Sequence, residues 1–252
     1  MLRWLALLAC LAAPAKAEEV IAGLSQNRIS ITTNFDGSEI LIFGAVKRQA
    51  AIPQDEGELG IIIAVEGPSA PVTVRRKDRR FGIWVNVEAA DIASAPSFYA
   101  ISSTATLRDV LLDTEDLRHR ISVRRAIRAV GIASTVQSPN DFTNALIRIR
   151  ESEGLFQTNE GTVNLVEDTL FDTRIRLPAN LTEGDYTTRF FLTRDGAVID
   201  QFETVIFVQK VGLERFLYAL AHERPLVYGL LSLAIAILAG WGASAIFRYI
   251  RS

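Results

Sequence analysis

Residues 226–247, LVYGLLSLAIAILAGWGASAIF, determine how the chain is organised. They include no Asp, Glu, Lys or Arg, and a helix of this length, rising about 1.5 Å per residue, spans the roughly 30 Å hydrocarbon layer of a bilayer. Pro225 precedes the stretch, where a first-turn proline costs no hydrogen bond, and Arg248 and Arg251 follow it. The stretch predicts a transmembrane helix that anchors the rest of the mature chain to one side of a membrane.

The N-terminal residues 1–17 have the three parts of an export signal. Basic Arg3 precedes a short apolar run, and Ala15 and Ala17 are the small residues that signal peptidase requires. The run is too short to be a second span, and lipid attachment at Cys10 would leave too few apolar residues before it. Removal of the signal also removes the one cysteine, so we expect a mature chain without a disulfide or a reactive thiol.

Together, the signal and the apolar stretch predict a single-pass protein of the inner membrane with most of its chain in the periplasm. The predicted segments are a signal peptide (1–17), a β-rich periplasmic domain (18–209), a juxtamembrane amphipathic helix (210–225), the transmembrane helix (226–247) and a cytoplasmic tail (248–252). The formal charge is −2, and the loss of two positive charges, Arg3 and Lys16, lowers it to −4 in the mature chain. Nucleic acid is therefore not an expected partner.

Most of the periplasmic part has the pattern of short strands. Apolar and β-branched runs, separated by turn residues, recur at intervals of roughly 8–12 residues, which is typical of a β-sandwich. The predicted strands are residues 28–33, 39–46, 59–65, 72–74, 83–85, 97–101, 162–166, 171–177, 186–193 and 198–208. Residues 194–196, Arg-Asp-Gly, predict a hairpin turn between the last two.

The hydrophobic period changes to that of a helix over about residues 104–154. Leu107, Val110 and Leu111 have helical spacing, and a second segment opens at Ser138 and ends near Gly154. These residues predict an α-helical insertion between two sets of strands.

Residues 177–186, LPANLTEGDY, refine the predicted fold. A strand, a corner carrying Tyr186 and an alternating strand follow one another, as in the closing hairpin of an immunoglobulin-like domain. The alternative is an ordinary hairpin with a buried Tyr186. The predicted fold class is mainly β: an immunoglobulin-like β-sandwich with an α-helical insertion, plus a single C-terminal transmembrane helix.

Five segments together resemble an alphaproteobacterial family of transmembrane proteins of uncharacterised activity. They are RISITTNFDGSEILIFGAVKR (28–48), TVRRKDRRFGIWVN (73–86), TEDLRHRISVRRAIRAVG (114–131), LPANLTEGDYTTRFFLTRDG (177–196) and VGLERFLYALAHERPLVYGLLSLAIAILAGWGAS (211–244). The resemblance implies a periplasmic domain on one span and, more loosely, a genomic association with permeases of the sulfite-exporter type. It carries no catalytic motif to transfer.

The residue types that catalysis needs are sparse. His119 and His222 are the only histidines. A histidine-based metal site would need partners that the sequence does not place near either of them. The sequence contains no nucleophile elbow, zinc-protease motif, phosphate-binding glycine loop or dinucleotide fingerprint. We therefore expect that the chain is not an enzyme and has no catalytic residue, metal or cofactor.

Two basic clusters are candidates for anion binding, because the planar guanidinium group suits oxyanions and phosphate head groups. The residues of the first, which is predicted to form a hairpin tip, are Arg75, Arg76, Arg79 and Arg80. Those of the second are Arg118, Arg120, Arg124, Arg125 and Arg128. The alternative is that both clusters are solvated faces whose charges neighbouring Asp and Glu residues partly neutralise.

Small side chains recur every four residues within the apolar stretch. They are Ser232, Ala236, Gly240 and Ser244. Small residues let membrane helices approach closely, so this face is a candidate contact with a second copy or an integral membrane partner. We expect a membrane-anchored accessory or assembly protein, with a permease of the sulfite-exporter type as its expected partner. The alternative is a periplasmic binding module for a small oxyanion or an anionic surface.

Overall fold

The computed structural model describes residues 18–32, 35–48, 57–129, 138–211 and 213–251. In these residues the strands are β1 (Glu18–Leu24), β2 (Arg28–Ile31), β3 (Ser38–Arg48), β4 (Leu59–Glu66), β5 (Ser69–Arg80), β6 (Ile83–Pro96), β7 (Tyr99–Ser103), β8 (Phe156–Asn159), β9 (Asn164–Val166), β10 (Leu170–Leu177), β11 (Gly184–Arg194) and β12 (Ala197–Lys210). The helices are α1 (Leu107–Val110), α2 (Asp113–His119), α3 (Val123–Ala126), α4 (Pro139–Ser152), α5 (Leu213–Glu223) and α6 (Pro225–Arg251). The predicted signal peptide lies outside the described residues.

The described strands form two larger sheets and one ribbon. The four-stranded sheet has the order β1-β3-β10-β9, the six-stranded sheet has the order β2-β12-β11-β4-β7-β8, and β5 pairs only with β6. The two larger sheets curl in the manner of a half-barrel. The mainly β class and the apolar C-terminal helix are confirmed, whereas the immunoglobulin-like sandwich is not.

Strand β4 lies at the centre of the six-stranded sheet, and both of its faces are covered. Ile61, Ile62 and Ile63 are fully buried although their side chains alternate between the two faces. Ile62 packs in one cluster with Phe142 and Leu146 of α4. Burying one such side chain stabilises a fold by about 1.5–3 kcal/mol, so β4 is a principal source of stability.

The four helices α1–α4 connect two parallel strands. Strand β8, which the sequence did not predict, pairs parallel with β7 in the register Tyr99↔Phe156. Parallel neighbouring strands cannot be joined by a tight turn, because the chain must return to the end of the sheet where the first strand began before the second strand can start. The helices between Ser103 and Phe156 are that crossover, and Phe142 and Leu146 cover one face of the sheet.

The β5–β6 ribbon corrects one sequence interpretation. The first basic cluster was predicted to be a hairpin tip, but Arg75–Arg80 belong to β5 and pair with residues of β6. The turn itself consists of Phe81 and Gly82, with φ values of 49° and 85°. The sequence did not predict that the strand continues through these residues, because their charged side chains do not alternate with apolar ones. The backbone hydrogen bonds that pair the two strands do not depend on that alternation.

Tyr186 forms a hydrogen bond with the chain segment that precedes its strand. Tyr186 is buried, and its hydroxyl donates to the backbone oxygen of Thr182 at 2.8 Å. This bond ties the strand to the chain just before it, as in a tyrosine corner. The hairpin turn at Asp195 and Gly196 is also confirmed, with φ values of 48° and 77°.

The chain divides into two compact units, of which the first consists of Met1–Ile29 and Phe35–Val208. The second consists of Ser30–Asn34 and Gln209–Ser252 and contains α5 and α6. Backbone bonding continues past the junction at Arg224, whose N–H donates to Leu220 O and whose own oxygen accepts from Tyr228 N, both at 3.1 Å. Pro225 has no backbone N–H, but the N–H groups in the first turn of a helix have no intrahelical partner. Proline at the start of α6 therefore removes no hydrogen bond.

Candidate functional site

The first basic cluster is spread along one strand. Arg76 forms an ion pair with Glu88 at 2.7 Å, and Arg80 lies 3.9 Å from Asp78. Arg79 Nε donates to the oxygen of Gly82 at 3.4 Å. Because strand side chains alternate between faces, these arginines do not converge on one point.

A groove between β5 and α4 contains the first member of that cluster. Its volume is about 650 Å³, and its basic side chains are Arg75, Arg76, Lys77 and Arg148. The buried side chains of Val74 and Phe142 contribute apolar surface to the lining. Among the described residues, no acidic group lies within ion-pair distance of Arg75, Lys77 or Arg148. Asp141 also lines the groove, so its field is mixed rather than purely positive.

The second basic cluster is mostly used within the fold. Arg118 pairs with Glu115 at 3.0 Å, and Arg125 lies 3.9 Å from Asp116. Arg120 ends α2 in the left-handed conformation, with φ 52°. Arg128 pairs through its backbone with Ser94.

Arg124 of the second cluster does not line the groove but bonds to a residue that does. Its guanidinium donates to Asn144 Oδ1 at 2.6 Å and to Asn140 Oδ1 at 2.9 Å, and Asn144 is one of the groove residues. The groove thus brings together Arg75 and Arg76 of the first cluster with Lys77 and Arg148, which were not among the predicted site residues. Sequence reasoning missed Arg148 because it is a single cation on an amphipathic helix, where a solvated position is the ordinary expectation.

The two histidines have structural surroundings. His119 Nε2 lies 3.3 Å from Glu115, and its ring meets Phe191 edge-on at 5.6 Å. The negative charge of Glu115 therefore partly offsets the positive charges of the arginines that flank His119 in the sequence. The ring of His222 stacks on Tyr218 at 4.0 Å, within α5. Neither arrangement presents a nucleophile next to a base.

Buried charges elsewhere join distant strands. Glu18 accepts from Arg48 Nε and Arg194 Nη2, each at 2.6 Å. Burial raises the pKa of the Glu18 carboxyl, but the hydrogen bonds and charges of Arg194 and Arg48 outweigh that effect and hold the pKa below its ordinary value. Burial also raises the pKa of the Tyr99 hydroxyl, although the neighbouring Arg189 opposes the rise.

Helix α6 contains the candidate membrane span. Pro225–Ala243 has a mean hydropathy of 2.0, and none of it is buried against the described residues. Leu230, Leu233 and Trp241 are 69%, 59% and 68% exposed. A long apolar helix with no protein cover exposes a surface that water solvates poorly and that lipid solvates well.

The predicted contact residues lie along this helix. Ser232, Ala236, Gly240 and Ser244 are all part of α6. The Ser232 hydroxyl donates to Gly229 O at 2.9 Å, so it is already satisfied within the helix. A Cβ added at Gly240 would meet nothing within 4 Å among the described residues.

Within the described residues, a β-rich unit is followed by one helix that is long and apolar enough to span a membrane. The comparison with protein families agrees with this arrangement. Residues 19–249 match the family described as "Putative transmembrane protein (Alph_Pro_TM)", and the chain belongs to this family. The predicted family resemblance is thereby confirmed, and the association with sulfite exporters stays a prediction.

No curated protein matches the chain. Among solved structures, Spo0M, a sporulation control protein from Bacillus subtilis, matches 81% of this chain and 54% of its own at 13% identity and a TM-score of 0.29. The chain thus spans about half the length of that protein.

Proposed function

We propose that this protein is a membrane-anchored accessory or assembly subunit whose β-rich domain lies in the periplasm and whose α6 contacts an integral membrane partner. The observation that supports it best is the uncovered helix Pro225–Ala243. A span that served only as a tether would need no particular pattern. The small side chains Ser232, Ala236 and Gly240 instead follow one another at the spacing of one helical face.

A binding role fits the β-rich domain better than catalysis does. Its buried ionic groups, such as Glu18 with Arg48, join one strand to another instead of facing a cleft. Both histidines are held by neighbours on their own helices. The expected absence of enzyme activity remains a prediction.

The orientation follows from the predicted export signal together with the C-terminal anchor. A reporter that works only in the cytoplasm, fused after Ser252, should be active. The same fusion with a reporter that works only after export should be silent. The opposite pair of results would show that the orientation is wrong.

The accessory role is tested by purifying the full chain from its native membrane in mild detergent. We expect an integral membrane protein to copurify in constant ratio, with a permease of the sulfite-exporter type as the first candidate to examine. Gly240→Leu should lose this partner, whereas Leu238→Ala, on the opposite face of the same helix, should retain it. Recovery of the chain alone in every preparation would contradict the proposal.

The second candidate function is binding of a small oxyanion in the groove between β5 and α4. The observation that favours it is the set of Arg75, Lys77 and Arg148, which line the groove without acidic partners among the described residues. An oxyanion there would gain charge-assisted hydrogen bonds that now have no recipient.

A thermal-shift measurement on the full chain tests this second function with sulfite, sulfate and phosphate. Binding should raise the melting temperature, and the rise should shrink as ionic strength increases. Replacing Arg75 and Arg148 with glutamine should abolish the rise. Arg118→Gln, which removes an exposed cation outside the groove, should not. No shift with any of the three anions at millimolar concentration would rule out the groove as an oxyanion site.

A further inference from the structure

The outer end of the β5–β6 ribbon exposes large apolar side chains. Phe81 is 106% exposed, Trp84 is 69% exposed and Ile83 is 64% exposed. A Cβ added at the neighbouring Gly82 would meet nothing within 4 Å. No described part of the chain covers these side chains, so in water they contribute no hydrophobic stabilisation to the fold.

The turn residue Phe81 has an unfavourable backbone conformation. Its φ of 49° lies in the left-handed region, which a bulky residue rarely adopts and where Asn, Asp or Gly is usual in a two-residue hairpin turn. Such strain is kept where a residue has a use that offsets it. Phe81 packs against nothing within the described fold, so no contact there offsets this strain.

Basic groups stand directly opposite the apolar ones. Arg79 pairs with Trp84 and Arg80 pairs with Ile83 across the two strands. Both arginines are exposed. Arg80 lies 3.9 Å from the exposed Asp78, whereas Arg79 has no acidic partner within ion-pair distance in the described part of the chain. Aromatic rings with adjacent guanidinium groups match the boundary between phosphate head groups and acyl chains, where each half of the pair meets its preferred surroundings.

We propose that this ribbon end, defined as Phe81, Ile83, Trp84, Arg79 and Arg80, docks on an anionic phospholipid surface. The guanidinium groups bind lipid phosphates, and the three apolar side chains enter the upper acyl region. This would be a second membrane contact, separate from the span. It uses neither the groove at α4 nor a partner helix.

The size of the ribbon end favours lipid over a protein partner. Three side chains of this kind offer on the order of 500 Å² of apolar surface. A stable protein interface buries roughly 800 Å² on each partner. Lipid needs no such area, because each inserted side chain contributes separately and anionic head groups add attraction for each cation. Anchoring by α6 also keeps the domain close to a membrane, which raises the effective concentration of the lipid surface.

Trp84 is a built-in reporter for this contact. The chain has three tryptophans, and replacing Trp4 and Trp241 with phenylalanine leaves Trp84 alone. The full chain is reconstituted in nanodiscs of phosphatidylcholine, with or without phosphatidylglycerol. Vesicles whose acyl chains carry bromine are then added, and a parallel set of nanodiscs is built from the brominated lipids. The two sets detect contact with an opposing membrane and with the chain's own membrane.

We expect brominated lipid to quench Trp84 emission in at least one set when phosphatidylglycerol is present, and the quenching to weaken as salt is raised. Replacing Arg79 and Arg80 with glutamine should lose most of it. The matched control replaces Arg174 and Arg176, two exposed arginines of β10, and should keep it.

Three outcomes would overturn the proposal. The first is Trp84 emission unaffected by brominated lipid in both sets. The second is equal quenching in neutral and anionic lipid and in both double variants. The third is shielding of Trp84 that depends on protein concentration but not on lipid, which would indicate a second copy or another protein at the ribbon end. None of these results bears on copurification of a membrane partner, so the experiment tests this inference independently of the proposed accessory role.

Discussion

Arg189 Nη2 donates to the hydroxyl oxygen of Tyr99 at 3.0 Å, across 90 residues of sequence. The same guanidinium donates to His119 O at 2.7 Å and lies 5.4 Å from the centre of the Phe191 ring. The Tyr99 hydroxyl in turn donates to Ile121 O at 2.8 Å. One side chain of β11 thus satisfies carbonyl groups at the C-terminal end of α2 and joins the helical crossover to the sheet.

Arg189→Met should destabilise the β-rich domain by roughly 3 kcal/mol, because it leaves buried polar groups without their donor. Thermal unfolding of the full chain in detergent measures this loss. Hydrogen exchange should accelerate in α2 and α3 more than in β4, since the crossover loses its attachment while the sheet keeps its core. Arg174→Gln, at an exposed position of β10, is the control and should change neither quantity. Uniform acceleration would assign Arg189 a general role in the core instead.

Glu18→Gln should remove part of the pH dependence of stability. The folded-state pKa of Glu18 is below its ordinary value of 4.5, so its ionised form stabilises the fold above that pH. That stabilisation is lost as the pH falls through the folded-state pKa. The variant cannot titrate and should lose roughly 3 kcal/mol at neutral pH, with a flatter fall in melting temperature below about pH 4.5. Parallel pH profiles for the variant and the parent would contradict the assigned pKa.

Tyr186→Phe should destabilise the fold by about 1 kcal/mol, the usual net value of one hydrogen bond. The ring stays buried and only the hydroxyl that donates to Thr182 O is lost. Phe190, which is also buried and on the same strand, offers a comparison: Phe190→Ala should cost about 3–5 kcal/mol through a cavity. Chemical denaturation of the full chain in detergent distinguishes the two. A Tyr186→Phe variant as stable as the parent would mean that the corner is not a stabilising element.

Under the proposed contact of α6 with another helix, Gly240→Leu should reduce crosslinking between the two helices in native membranes without preventing insertion. Added bulk at Gly240 fills the open space beside the helix and keeps two backbones apart. Leu238→Ala should leave crosslinking intact, because Leu238 lies on the face of α6 opposite Gly240. If the parent and both variants crosslink equally, the small residues are not an interface.

Local patterns in the sequence were sufficient to predict several structural elements. The isoleucines of β4 form an apolar run that is bounded by turn residues, and buried strands have that signature regardless of their partners. The Asp195–Gly196 turn and the corner at Tyr186 depend on a few neighbouring residues. Strand β8 was missed because four largely polar residues, FQTN, carry no period.

Local sequence patterns did not predict which side chains come together in the candidate sites. Arg75 and Arg148 are 73 positions apart in numbering, and only the packing of α4 on β5 places both in one groove. Conversely, Arg118 and Arg125 were grouped by sequence proximity, yet each faces its own carboxylate. Proximity along the chain says little about convergence, because the direction of a side chain depends on the element that carries it.

The sequence by itself determined the membrane helix, the mainly β composition and the family, since each depends on residue type and short-range period. The order of strands, the parallel β7–β8 pair and the exposure of Phe81 and Trp84 were decided by tertiary structure alone. The physical reason is that pairing and burial are free-energy differences between whole arrangements of the chain. A strand's own residues specify that it will pair, while its partner and the faces left open depend on how every other element packs.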